Sequence, residues 1–404
     1  MGNGNEIRVG TPVVESQGGL SRWSVPVDGP SGMPGTIWYE VPSQYTDMLT
    51  YRCDPALIAL TIPAMRLGLP LVFDGPITDE LTFQYRDLQA LYSASGDKPP
   101  VPVVFNRVVP AAPAGAGVAA GFSAGIDSYA LLAEHHYAED VPDALRLTHL
   151  LFNNVGSHAD GREDLWRRRF ARIAPVAERI GLPIIPVNSN LDEIPSPGVS
   201  YEPLNSPANA SVAHLLGAGL RTWIFASSVE YRRVGVTHNS YNSAFVDPIA
   251  LPLMSTESLA LRVASSRMRR IDKTRLVAEI PDAWSSLDVC IQIEPLDKTN
   301  CARCWKCRLT LGALDLIGAV DRFDPQFDLD VWRADREAYL ARVSLLKTPA
   351  LVVELNELMA EVGYQPLPAD RRRARQELAV EKAETFLRRV ERRAGRLYRE
   401  ITRR

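Results

Sequence analysis

Two short stretches of this chain carry residue types and spacings that could do chemistry. The first is Ser123-Ala124-Gly125-Ile126-Asp127-Ser128, a polar turn of small residues. Ser123 and Ser128 offer hydroxyl donors, Gly125 lets backbone approach a ligand with no Cβ in the way, and Asp127 could hold Mg²⁺ against phosphate oxygens. The second is Cys301-Ala302-Arg303-Cys304-Trp305-Lys306-Cys307, with Cys290 a short gap upstream. Four thiolates suit a tetrahedral Zn²⁺, and they equally serve an Fe–S cluster. Zinc is the preferred reading, because a closed structural site needs no electron partner. Arg303, Lys306 and Arg308 would offset the negative charge of such a centre. Cys53 lies far from the others and reads as a buried thiol.

The elements around the first stretch tell how it would be positioned. Gly117 to Phe122 is apolar and short enough for one buried strand, and Tyr129 to Glu134 reads as a helix. Strand, small-residue turn, helix is the geometry of a phosphate site, with unpaired N–H groups and the positive dipole end at the helix start. The alternation continues: strand Leu147 to Phe152, helix Gly161 to Ile180, strand Ile184 to Val187, helix Ala208 to Leu220, strand Thr222 to Ala226. This pattern predicts an α/β fold on a parallel sheet, with ligands beyond the C-terminal strand ends. The second strand end carries Phe152-Asn153-Asn154 and Gly156-Ser157-His158, and the third carries Asn188 and Ser189; His158 reads as a solvated loop residue. From Ala226 to Lys273 the chain is polar and loop-rich, with Ser227, Ser228, His238 and Asp247 available to a substrate pocket. Asp272 caps a helix containing Lys273, which could meet a phosphate or remain an exposed lysine.

Three regions are expected: residues 1–110 as an N-terminal α+β domain, 111–325 as the catalytic α/β domain with the cysteine element, and 326–404 as a helical extension. Residues 1 to about 35, rich in Gly, Pro and Ser, read as partly loose. Thr36 to Val41 reads as a strand, Asp54 to Arg66 as a helix interrupted or kinked at Pro63, Thr78 to Tyr92 as a helix, and Val101 to Val109 as a strand. Pro110 to Gly115 reads as a linker. In the extension, Val331 to Leu345 and Thr348 to Val362 have helical apolar spacing. Asp370 to Arg404 holds twelve Arg and one Lys against six acids. It reads as an amphipathic helix packed on the body or a sister chain, or as an arm for RNA or a protein partner.

The turn at Ser123, Gly125, Asp127 and Ser128 resembles the S-G-G-x-D-S loop of the PP-loop ATP pyrophosphatases, with Ala124 in place of one glycine. With the Cys₄ pattern, residues from about Gly117 to Gly318 look like the 7-cyano-7-deazaguanine synthase-like family. The resemblance implies an adenine-nucleotide α-hydrolase-like core. It makes Ser123, Ala124, Gly125, Asp127 and Ser128 an ATP loop, with Phe152 and Asn153 at adenine and ribose. Asp127, Ser128 and Lys273 would act in catalysis, and Cys290, Cys301, Cys304 and Cys307 would bind zinc. The chemistry implied is adenylation of a carboxylate with release of pyrophosphate, then C–N bond formation with ammonia or an amine. The substrate would be a small carboxylate or a modified nucleobase precursor, and the cofactors ATP, Mg²⁺ and Zn²⁺. Sulfur transfer is the alternative within the class, and a non-catalytic ATP- or RNA-binding module the alternative outside it.

Composition bounds these readings. The 404 residues are 46% hydrophobic and 23% charged, with a net charge of −3. That suits a soluble protein of two or three domains and argues against binding nucleic acid with the whole surface. No run approaches membrane-spanning length and the N-terminus has no apolar signal core, so a cytoplasmic protein, forming homo-oligomers, is expected.

Overall fold

Period-two alternation builds the first strands. The computed structural model describes residues 4–96, 98–157, 162–198, 200–236, 242–294 and 298–384. Strands β1 (Ile7–Val9), β2 (Val13–Gln17) and β3 (Leu20–Asp28) occupy the stretch expected to be loose. In β3, Trp23, Val25 and Val27 turn inward while Arg22, Pro26 and Asp28 turn outward. Gly18 and Gly19, at φ +61° and +82°, close the β2–β3 hairpin in the left-handed conformation that tight hairpin turns require. The Gly- and Pro-rich composition was thus a hairpin signal rather than a sign of looseness.

Next come β4 (Thr36–Pro42), α1 (Asp54–Leu67), β5 (Leu71–Thr78), α2 (Asp79–Ala94) and β6 (Val103–Val109). Pro63 does not interrupt α1. Every residue from Asp54 to Met65 is buried, so packing on all sides outweighs the hydrogen bond that proline removes. Then follow β7 (Gly117–Gly121), α3 (Ile126–Leu132), β8 (His149–Asn153), α4 (Glu163–Ile180), β9 (Ile184–Ser189), α5 (Asn205–Leu215) and β10 (Leu220–Ala226). The segment expected to be loop also holds α6 (Asp247–Leu253) and β11 (Ala260–Ala264), an edge strand parallel to β10. Helices α7 (Arg270–Ala278) and α8 (Pro281–Trp284) complete this part.

All these strands join one eleven-stranded sheet, ordered β11-β10-β7-β8-β9-β4-β3-β1-β5-β6 with β2 paired to β3. The run β11-β10-β7-β8-β9 is entirely parallel. Strand β4 extends it by antiparallel pairing to β9, at Tyr39↔Ser189 and Glu40↔Asn188. One buried cluster includes Trp23, Tyr39, Leu57, Ile185 and Trp223, so the N-terminal strands and the parallel strands share a core. The Tyr39 hydroxyl meets Ser211 Oγ at 2.7 Å inside it.

The chain forms two compact units that divide between Asp288 and Val289. The second holds α9 (Trp305–Leu316), α10 (Leu329–Val343), α11 (Ala350–Glu361) and a helical stretch over 368–384. Trp332, fully buried, donates from Nε1 to Asp315 Oδ2 at 2.7 Å, and Arg336 Nε donates to the same oxygen at 2.8 Å. The basic tail beyond residue 384 lies outside the described residues. Among the described residues no helix is long and apolar enough to cross a membrane.

Candidate anion site and metal centre

In the parallel part, β7 and β10 are neighbours from which successive strands run outward in opposite directions. Loops leaving the C-terminal ends of such a pair diverge and open a crevice, the usual ligand position in open α/β sheets. The turn 122–125 leaves β7 there, and Ser227 follows β10. Ser123 is exposed. Ala124 is buried at φ 55°, and its carbonyl accepts from Asp288 N–H at 2.9 Å. The left-handed conformation costs a residue with a Cβ roughly 1–2 kcal/mol. The one position where the sequence departs from the loop it resembles is therefore a position that favours glycine. Gly125 caps α3 at φ −84°, and a Cβ there would lie 3.3 Å from Ser123 Oγ. Ser128 turns inward and donates from Oγ to Gly125 O at 3.0 Å.

Asp127 is the centre of the site. Lys273 Nζ donates to its Oδ1 at 3.2 Å, and Arg270 Nη1 donates to its Oδ2. Lys273 also donates to the carbonyl of Ser227. Its side chain is 1% exposed, so the reading of it as a surface lysine is corrected: α7 packs on α3 and carries the ammonium to the strand ends. Burial alone would raise the Asp127 carboxyl, but the charges of Arg270 and Lys273 outweigh it and hold it below the ordinary carboxylate range. One carboxylate thus anchors two cations between the ends of β7 and β10. The α7 start is itself locked: Asp272 accepts from Arg269 N–H at 3.1 Å and from its guanidinium at 3.0 Å. Sequence reading did not single out Arg270. Its signal was the i, i+3 spacing to Lys273 at a helix start, which puts both cations on one face.

The residues expected at adenine sit differently. Phe152 is buried, stacked on Trp166 at 6.3 Å and tilted on Phe170 at 5.9 Å between ring centroids. Asn153 is buried and donates to Asn209 Oδ1 at 2.9 Å, while its own Oδ1 has no hydrogen-bond partner among the described residues. Asn154 donates to Asn188 Oδ1 at 2.8 Å, and Ser189 Oγ donates to Asn154 O at 2.6 Å. Ser228 is exposed; Asp247 is buried, and burial pushes its carboxyl up to about 7 against the opposing effect of the Ser206 and Ser243 hydroxyls. His158 and His238 lie outside the described residues.

The candidate metal centre lies within the second unit. The sulfurs of Cys290, Cys301, Cys304 and Cys307 all lie within 4.8 Å of one another. Tetrahedral zinc, with Zn–S near 2.3 Å, needs sulfurs about 3.8 Å apart. Cys301 Sγ and Cys307 Sγ are 3.8 Å apart. The backbone presents N–H groups to the sulfurs: Arg303 and Cys304 to Cys301 at 3.4 and 3.2 Å, and Gln292 to Cys290 at 3.4 Å. Ala302 takes φ 55° to close the first turn, and Cys304 caps α9. The thiols compete for protons. The Cys307 hydrogen bond pulls Cys290 down to about 5, and the same bond pushes Cys307 up. Four sulfurs held this close need a cation to ionise together, and the donor set fits a soft divalent metal such as zinc.

No protein-family model, curated protein or solved structure matches this chain.

Proposed function

We propose that this chain is an AMP-forming ATP-dependent ligase of the PP-loop pyrophosphatase kind, similar to the 7-cyano-7-deazaguanine synthase-like family. One observation carries the reading. Arg270 and Lys273 are fixed on Asp127 at the ends of the two strands that flank the switch point, beside the Ser123–Ser128 turn. Preorganised cations beside such a turn suit the departure of a polyanion. ATP bound there supplies the leaving group: a substrate carboxylate oxygen attacks the α-phosphorus and expels pyrophosphate, and ammonia or an amine then attacks the acyl carbon and expels AMP with the bonding pair.

Within that scheme Lys273 and Arg270 offset charge on pyrophosphate, and Ser123 adds an exposed hydroxyl donor. Asp127 holds both cations in place. Mg²⁺ arriving with the nucleotide would compete with those cations for the carboxylate. Zinc at the four cysteines has a structural role, since all the metal's positions are then filled by thiolate. The five free cysteines suit a reducing compartment such as the cytoplasm. Sulfur transfer is disfavoured. It needs a nucleophilic thiol outside the metal centre, and Cys53 is fully buried, donates to Gly10 O at 3.3 Å, and is pushed up to about 12 by burial.

The test is a product assay by chromatography with ATP, ammonia and a panel of carboxylates. Wild type should release AMP and pyrophosphate. Lys273→Ala should slow that release roughly a hundred- to thousand-fold, the usual loss for one preorganised electrostatic contact. Formation of ADP and phosphate instead would refute the reading.

A further inference from the structure

A second cavity lies at the other end of the strands. Its volume is about 410 Å³, within the range of small-ligand pockets. Gly217 and Ala218, just before β10, and Ser258 and Leu259, just before β11, form part of its wall. Ser227 and the Asp127 site follow the C-terminal end of β10. A seven-residue strand at roughly 3.3 Å per residue separates the two by about 20 Å.

The wall holds a guanidinium in a fixed position. Thr78 Oγ1 donates to Asp54 Oδ2 at 2.5 Å, and Asp54 Oδ1 accepts from Thr78 N–H at 2.9 Å. Arg52 Nη1 then donates to Thr78 Oγ1 at 2.8 Å. Asp54 and Thr78 are 5% and 2% exposed, so the relay is anchored in the core. One of the five N–H donors of Arg52 is accounted for in this way. No carboxylate among the described residues is ion-paired with it.

Two carboxylates, Asp47 and Asp54, also line the cavity. Asp54 stands one hydroxyl away from Arg52 and directs both oxygens at Thr78, and Asp47 is exposed, where solvent screens it. His214 spends its Nε2–H on Met254 O at 2.8 Å, and its burial holds the imidazole below its ordinary value, so it adds no fixed charge. Thr50 and Ser258 add hydroxyls to the same wall. A guanidinium aimed by a buried relay, not ion-paired directly and flanked by hydroxyls, suits planar or tetrahedral oxyanions.

We infer that this cavity is a second ligand site, taking a small anion that presents carboxylate or phosphate oxygens to Arg52. The inference does not depend on the ligase reading, because no residue is shared between the two sites.

Isothermal titration of the full-length protein at constant ionic strength tests it, with inorganic phosphate and succinate as separate probes. Wild type should bind at least one probe saturably, and which one binds identifies the oxyanion. Arg52→Gln should weaken that binding tenfold or more. Ala218→Trp, which places a large ring at the exposed rim without touching the relay, should do the same if Arg52→Gln fails to fold. Lys273→Ala should leave the affinity unchanged. Absence of saturable binding by both probes overturns the inference. So does an affinity that survives in a folded cavity variant, or one lost in Lys273→Ala, which would place the anion at the Asp127 site.

Discussion

Removing the carboxylate at Asp127 is the sharpest perturbation the structure offers. Asp127→Ala leaves Lys273, 1% exposed, with the Ser227 carbonyl as its one hydrogen-bond partner among the described residues, and leaves Arg270 without this partner. Breaking a buried pair from one side typically costs about 3–5 kcal/mol, because an uncompensated charge stays buried. Asp127 and Arg270 are 23% and 18% exposed, so water screens part of the loss and the lower end, about 3 kcal/mol, is expected. For a unit of this size that lowers Tm by roughly 6–12 °C. Were Asp127 only a helix-start residue, the cost would be about 1 kcal/mol. Calorimetry on Asp127→Ala, Lys273→Met and the double variant separates the cases. The double variant should lose clearly less than the sum of the singles, since it removes both charges. Acidity gives an independent check. The folded-state pKa of Asp127 is lowered, so its contribution is complete above the ordinary carboxylate range and is lost as pH falls through the lowered value. The gap between wild type and Asp127→Ala should therefore close in strong acid. Additive single effects, or a gap that persists there, would refute the reasoning.

Two further outcomes follow from the buried groups. Elemental analysis of the purified protein should find about one zinc per chain; Cys304→Ser should lose it, and the second unit should melt at markedly lower temperature, because structural-zinc binding contributes directly to folding. Iron in place of zinc would contradict the assignment. Asp247 is raised by burial to about 7, so its favourable contribution is complete below the unfolded value near 4 and is lost as pH rises to about 7. Asp247→Asn should flatten that decline and gain on wild type between pH 4 and pH 8; parallel stability profiles would show that the carboxyl is ionised throughout.

Local signals were the legible ones. The strand, turn and helix around Ser123–Ser128 are contiguous, and the cysteine spacing states its own donor count, so both were readable without tertiary information. The parallel order could be expected from alternating elements. The N-terminal strands were missed because composition was weighed over pattern: Trp23, Val25 and Val27 alternate cleanly within a Gly- and Pro-rich stretch. Strand β11 was missed because five residues, Ala260–Ala264, carry too little periodicity to stand out from a loop. The environment of Lys273 was out of reach for another reason. Its burial is set by α3 and by Ser227, 46 residues away along the chain, and no window around position 273 contains that information. The same holds for the Arg52 relay, which joins residues 26 positions apart.

The antiparallel join between β4 and β9 also sets a schedule for the ribosome. Trp38 N–H donates to Asn190 Oδ1 across a separation of 152 residues. At 5–20 residues per second, β4 emerges roughly 8–30 s before its partner strand exists. Through that interval the β3–β4 pair presents an open edge bearing Ile37, Tyr39 and Val41, all of which end up buried. Synthesis speed, chaperone supply and growth temperature thus bear on the yield of this chain through one strand pairing, independently of how stable the finished fold is.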